Sequence, residues 1–137
     1  MGAIRCGKGG VSMSKNILVI DDDHMVAVTL QKLLRREGYD VFISEDGLGA
    51  LEKFKNNDFD LIVSDIRMPN ISGVEVIHLI KDFALENNRK FPPFIFITGY
   101  AEEKQNNAAN EAEPNDFLYK PFDRGAFLRS IKAALGE

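Results

Sequence analysis

From residue 16 onward, short apolar runs alternate with longer stretches whose apolar residues recur every three or four positions. A compact run flanked by polar residues reads as a strand, and the three-to-four period reads as an amphipathic helix. Five such pairs follow one another, which is the pattern of strand–helix units built around a parallel sheet. Ile17-Leu18-Val19-Ile20 predicts the first strand, followed by a helix with Val26, Leu30, Leu33 and Leu34 on one face and a stop at Gly38. Val41-Phe42-Ile43 is shorter and more mixed, as suits an edge strand, and Ala50, Leu51 and Phe54 mark the next helix. Leu61-Ile62-Val63 is continuously apolar, which predicts a central strand covered on both faces. After Pro69 comes a helix that is apolar around most of its circumference, through Val74, Val76, Ile77, Leu79, Ile80 and Phe83. Phe94-Ile95-Phe96-Ile97 and Phe117-Leu118-Tyr119 predict the last two strands, and Phe127, Ile131 and Leu135 give the final helix its buried face.

The helix between those two strands breaks the pattern. Residues 101–112, AEEKQNNAANEA, offer only alanines as an apolar stripe and carry three asparagines that compete with the backbone for hydrogen bonds. The expectation is a marginal helix, partly disordered without phosphate.

Size and composition narrow the class. With 137 residues, 45% of them hydrophobic and 28% charged, the chain has the make-up of one globular domain with one core. The net charge is −4, and because Arg5 and Lys8 are the only charges in the first twelve residues, the remainder carries −6. That balance argues against a nucleic-acid surface. The single cysteine, Cys6, has no internal partner, and no segment is long and apolar enough for a signal peptide or a membrane span. The expected setting is the cytoplasm, without membrane contact.

Residues 1–13 lack periodicity and read as a disordered leader, an upstream start or an expression remnant, leaving 14–137 as the domain. Gly2 to Lys8 fits the start of a phosphate-binding loop, but Gly9 stands where Ser or Thr should hold magnesium and no strand precedes it. Gly2 also stands where a myristoylation signal needs it, yet Cys6 occupies the position that wants Ser or Thr.

The chemistry gathers at the strand ends. The first strand ends in Asp21-Asp22, the third in Asp65, the fourth in Thr98 and the fifth in Lys120. In an open parallel sheet the carboxyl ends share one edge, and ligands bind in the crevice outside it. Singly, each residue has an ordinary reading: Asp21 and Asp22 as caps of the next helix, Thr98 as a strand residue, Lys120 as a solvated charge. Together, three carboxylates, a hydroxyl and an ammonium on one edge form a constellation. Clustered acids raise one another's pKa unless a cation lies among them, and an all-oxygen set suits Mg2+ with room for a phosphate oxygen. Asp65, alone at the end of a central strand, is the candidate attacking carboxylate. Thr98 and Lys120 are then placed to stabilise the transferred oxygens.

At this point ILVIDDD, DLIVSDIRMPNISG, FIFITGYA and FLYKPF together resemble the response-regulator receiver domain of two-component signalling, over about residues 15 to 136. The resemblance implies a flavodoxin-like, doubly wound α/β fold with a five-stranded parallel sheet in the order 2-1-3-4-5 and five helices. It implies that Asp65 accepts a phosphoryl group from a histidine kinase or phosphotransfer protein, with Mg2+ held by Asp22, Asp65 and the backbone carbonyl of Arg67 and, through water, by Asp21. Thr98 and Lys120 would contact the phosphoryl group, and Lys120-Pro121 would be cis. The domain would be no enzyme beyond catalysing its own phosphorylation and dephosphorylation.

The resemblance couples Thr98 to an aromatic residue on the fifth strand, here Phe117, which lacks a hydroxyl. It makes the surface of the fourth helix, fifth strand and fifth helix the output face, and it allows a homodimer. The polar fourth helix and Glu113-Pro114, where the family commonly has Gly-Ala, depart from the pattern and put that face in question. The resemblance places Arg67 and Tyr100 at positions that in the family tune acyl-phosphate lifetime: either they slow self-dephosphorylation or they are solvent-facing loop residues without effect.

Three rival readings differ in their chemistry. A haloacid-dehalogenase-like phosphatase would use Asp21 in a D-x-D motif, but Met25 replaces its Thr or Val and Asp65 is left without a role. A phosphate-independent docking module of the same fold would predict losses among the five site residues, and all five are present. A flavin carrier would need a Ser/Thr-rich phosphate loop where three acids stand instead. His24 and His78 have no second ligand at metal spacing and read as surface residues. Asn70-Ile71-Ser72 belongs to the loop after Asp65, and Gly73 serves the turn into the third helix.

Overall fold

The computed structural model describes residues 14–99 and 107–137. The expectations for residues 1–13, for Tyr100 and for residues 101–106 of the polar helix lie outside the described residues. Five strands, β1 (Asn16–Ile20), β2 (Asp40–Ser44), β3 (Leu61–Asp65), β4 (Phe94–Thr98) and β5 (Asp116–Tyr119), alternate with five helices. These are α1 (His24–Arg36), α2 (Gly47–Asn56), α3 (Gly73–Glu86), α4 (Asn107–Glu111) and α5 (Arg124–Ala134).

All pairings are parallel, and the sheet order is β2-β1-β3-β4-β5. The mixed run Val41–Ile43 is indeed at an edge. The continuously apolar runs of β3 and β4 are central, with every residue of both strands buried. Alternation along the strands sorts the core into two halves. Ile17, Val19, Leu61, Val63, Ile95 and Ile97 meet Leu30 and Leu34 of α1 and Phe127 and Ile131 of α5. Leu18, Ile20, Ile62, Phe94 and Phe96 meet Ala50 and Phe54 of α2, Val76, Ile77 and Ile80 of α3, and Ala109 of α4. Each fully buried Leu, Ile or Phe contributes about 1.5–3 kcal/mol, so both layers are needed to hold the sheet.

The helix ends follow local chemistry. Asp23, Asp46, Ser72 and Asp123 cap α1, α2, α3 and α5, and Ser72 with Glu75 forms a reciprocal capping box. At the end of α1, Gly38 takes φ +95°. Its N–H donates to Arg35 O at 3.0 Å, and the N–H of Tyr39 donates to Leu34 O at 3.3 Å, closing a Schellman motif. One sequence expectation needs adjustment. Leu79 of α3, counted in its apolar circumference, is 37% exposed, because the helix packs on the sheet through the face that holds Val74, Val76, Ile77, Ile80 and Ala84. At the end of α4, Glu113 takes φ 59°, and Pro114 has no N–H for the six-to-one bond that would complete the motif.

Candidate functional site

The strand registers align the predicted chemistry along one edge. Ile20 pairs with Ser64, so Asp21 and Asp65 each stand one step beyond that pair. Asp65 itself pairs with Ile97, Thr98 follows at the end of β4, and Thr98 pairs with Tyr119, the residue before Lys120. Lys120 draws the group together: its ammonium donates to Asp21 Oδ2 at 2.9 Å and to Asp65 Oδ2 at 3.3 Å. Asp21 is fully buried, and its other oxygen accepts from the backbone N–H of Asp23 at 2.9 Å. Asp65 is 5% exposed, whereas Asp22 reaches solvent. Neither Asp21 nor Asp22 caps α1. The third acid of the run, Asp23, does so by accepting from the N–H groups of Met25 and Val26.

The electrostatics of this cluster are unbalanced. Burial, joined by the neighbouring Asp21 charge, pushes the Asp65 carboxyl up to about 6, against the opposing pull of Lys120. Burial alone would lower the Lys120 ammonium, but its hydrogen bond to Asp21 and the charges of Asp65 and Asp21 outweigh that and hold it above its ordinary value. Lys120 thus stands against a cluster of three acids. Asp21, Asp22 and Asp65 each offer a carboxylate oxygen, and these oxygens lie within 4.8 Å of one another. Such an oxygen-only cluster with excess negative charge fits a hard divalent cation such as Mg2+.

The segment after Asp65 is tightly constrained. Ser64 donates its hydroxyl to the Asp65 carbonyl at 3.0 Å, and the N–H of Gly73 donates to Ile66 O at 2.8 Å. Between these anchors Asn70 takes φ 72°, with the N–H of Ile71 donating to Pro69 O at 2.8 Å, the hydrogen bond of a γ-turn. Gly73 does more than serve a turn. A methyl group there would lie 2.1 Å from the Asp65 carbonyl oxygen. The Lys120-Pro121 bond is cis.

Thr98 is fully buried. Phe117 is half-buried and packs against Phe96, with ring centres 5.8 Å apart. Sequence reasoning missed Tyr119. Its ring stacks on Phe117 at 6.2 Å, and its hydroxyl is buried with no hydrogen-bond partner among the described residues. The signal was present in strand alternation, which puts residues 117 and 119 on one face. Both histidines are exposed, and His24 Nδ1 meets Glu45 Oε2 at 2.5 Å.

A groove of about 440 Å3 opens beside Lys120, lined by Met25, Val26, Thr29, Leu30, Pro121 and Phe122. It continues past Leu33 between Lys32, Arg36 and Arg124. Among the described residues, no helix is long and apolar enough to cross a membrane.

Known proteins share this arrangement. The chain is 34% identical over 119 residues, 87% of its length, to the CAI-1 autoinducer sensor kinase/phosphatase CqsS of Vibrio cholerae, where the match spans 17% of that protein. It is 34% identical over 123 residues to the alkaline phosphatase synthesis transcriptional regulatory protein PhoP of Bacillus subtilis, covering 90% of this chain and 49% of the relative. The chain thus spans about half or less of these relatives' length. Among solved structures, the response regulator TrrA of Thermotoga maritima in complex with Mg2+ and BeF superposes with TM-score 0.77 at 30% identity, over 88% of this chain and 99% of the other. A CheY-like receiver domain protein of Methanospirillum hungatei gives TM-score 0.79 at 28% identity, over 90% and 94% of the two chains. The profile of the response regulator receiver domain matches residues 17–132, and with the flavodoxin-like sheet order and the acidic edge already described, the chain belongs to that family.

Proposed function

We propose that Asp65 is the phosphoacceptor and that the domain takes its phosphoryl group from a phosphohistidine on a sensor histidine kinase or phosphotransfer protein. The observation that carries this is the bridge from Lys120 to both Asp21 and Asp65, made at the edge where three carboxylate oxygens converge. In the transfer an Asp65 carboxylate oxygen attacks phosphorus in line, the phosphorus–nitrogen bond breaks, and the imidazole departs as the leaving group. Asp22, Asp65 and the Arg67 carbonyl would hold Mg2+ directly and Asp21 through water; the bound ion supplies charge neutralisation for the transferred oxygens. Lys120 needs only to exchange Asp65 for a phosphoryl oxygen while keeping Asp21, and Thr98 donates its hydroxyl to another.

Asp21 is poorly suited to be the nucleophile of the phosphatase reading, since one oxygen is held by Lys120 and the other by the Asp23 N–H. The apolar groove beside Lys120, with its basic continuation, suits an amphipathic donor helix with acidic residues. Phosphorylation is read out through the α4, β5 and α5 surface, by way of Thr98 and Phe117, in a cytoplasmic signalling pathway. Arg67 and Tyr100 set the lifetime of the acyl phosphate.

Intact-mass spectrometry after incubation with Mg2+ and a small-molecule phosphodonor tests the assignment. One phosphoryl increment is expected in the wild type and none in Asp65→Asn. An increment that survives in Asp65→Asn but disappears in Asp21→Asn would establish the phosphatase-like chemistry instead. No increment in a folded wild type that binds Mg2+ would identify a phosphate-independent docking module.

A further inference from the structure

Gly47, the first residue of α2, is buried, and its φ is not in the left-handed region that would require glycine. Glycine is a poorer helix former than alanine, so neither backbone conformation nor helix formation explains a glycine there. Close packing does. A methyl group at residue 47 would lie 2.6 Å from Ile71 Cγ2 and 2.5 Å from Val76 Cγ2. Both neighbours are β-branched and therefore stiff about χ1, so they cannot swing aside cheaply. Val76 is fully buried within α3, whereas Ile71 belongs to the connection between β3 and α3. Ile71 is therefore the neighbour that yields.

That connection carries Arg67, and its two ends are tied by the bond from Gly73 N–H to Ile66 O. Between the ties, Ile71 packs its side chain into the core against the start of α2 while its N–H closes the turn at Asn70. We infer that Gly47 and Ile71 form a brace that sets the shape of the loop carrying the Arg67 carbonyl, making Gly47 a positioning residue for metal binding although its helix, α2, carries none of the metal ligands. The inference rests on the reading of Asp22, Asp65 and the Arg67 carbonyl as the metal site. A displaced Ile71 shifts the turn and with it the Arg67 carbonyl, while Asp65, held in β3 and by Ser64, stays in place.

The brace predicts a split between metal affinity and phosphoryl transfer. Mg2+ binding is measured by titration calorimetry, and phosphorylation by a small-molecule donor is measured at saturating Mg2+. Gly47→Ala and Ile71→Ala each weaken Mg2+ binding about tenfold, the scale seen when groups supporting metal ligands are altered. Their phosphorylation rates at saturating Mg2+ stay within about twofold of wild type, because the nucleophile has not moved. Ile131→Val, in the other half of the core, serves as the control: it lowers stability and leaves Mg2+ affinity unchanged. Wild-type affinity in both Gly47→Ala and Ile71→Ala, or an equal loss of affinity in Ile131→Val, would overturn the brace. Should Gly47→Ala fail to fold, Ile71→Ala decides alone. A wild type that binds no Mg2+ would overturn the metal-site reading and the brace with it, an outcome distinct from a wild type that binds and variants that bind equally well.

Discussion

Asp65→Asn should stabilise the metal-free protein at neutral pH, even though it abolishes the chemistry. The reason lies in the raised pKa. Unfolded, the carboxyl titrates near 3.8; folded, it is pushed up to about 6 by burial first and by the Asp21 charge second. Between those values the folded state binds more protons than the unfolded state, so stability falls as pH rises, and the penalty is complete above the folded value. At 1.36 kcal/mol per pH unit this amounts to roughly 3 kcal/mol, carried in full because the Asp65 side chain is only 7% exposed. Asparagine keeps the shape and removes the charge, while Lys120 keeps Asp21. Urea unfolding followed by circular dichroism, as suits a chain without tryptophan, measures the effect with a chelator present. The gain for Asp65→Asn should approach 3 kcal/mol at about pH 7.5 and nearly vanish at about pH 3.5. With saturating Mg2+ the order reverses, since only the wild type gains fully from binding. A variant equally stabilised at both pH values, or destabilised at neutral pH without metal, would refute this electrostatic reasoning.

Three further substitutions probe single contacts. Gly73→Ala drives a methyl against the Asp65 carbonyl oxygen, 2.1 Å away, so the phosphorylation rate should drop by about tenfold or more, as expected when a reacting group is misplaced; an unchanged rate in donor kinetics would show that the backbone yields elsewhere. Tyr119→Phe removes a buried hydroxyl without a partner among the described residues and should stabilise the protein by about 1 kcal/mol; a loss of stability on chemical denaturation would reveal a bond to that hydroxyl. Glu113→Gly relieves a left-handed backbone at φ 59° and should raise stability by about 0.5–1 kcal/mol, read as a shift in the denaturation midpoint at constant slope. No shift there would mean that glycine's greater freedom in the unfolded chain cancels the relief.

The order of elements and the chemistry of the edge were legible because both are written in local sequence. Continuous apolarity in Leu61–Val63 demanded cover on both faces, and central positions in a parallel sheet are where that cover exists. Once five strands run parallel, their carboxyl ends must share an edge, so Asp21, Asp65, Thr98 and Lys120 were brought together by topology alone. Other features depend on through-space distances that no local pattern encodes. Asp23 rather than Asp21 or Asp22 caps α1, because Asp21 is drawn to Lys120, a partner 99 positions away in the chain. The raised pKa of Asp65 comes from burial and from the Asp21 charge just past the end of another strand. Gly47 and Gly73 look like ordinary turn residues in the sequence. Only the folded chain, by bringing Ile71 and Val76 against one and the Asp65 carbonyl against the other, makes the missing side chain a requirement. Residue type and spacing determined which groups this protein has and on which edge they meet; the tertiary structure decided their charge states and clearances, because both are set by contacts between residues remote in the chain.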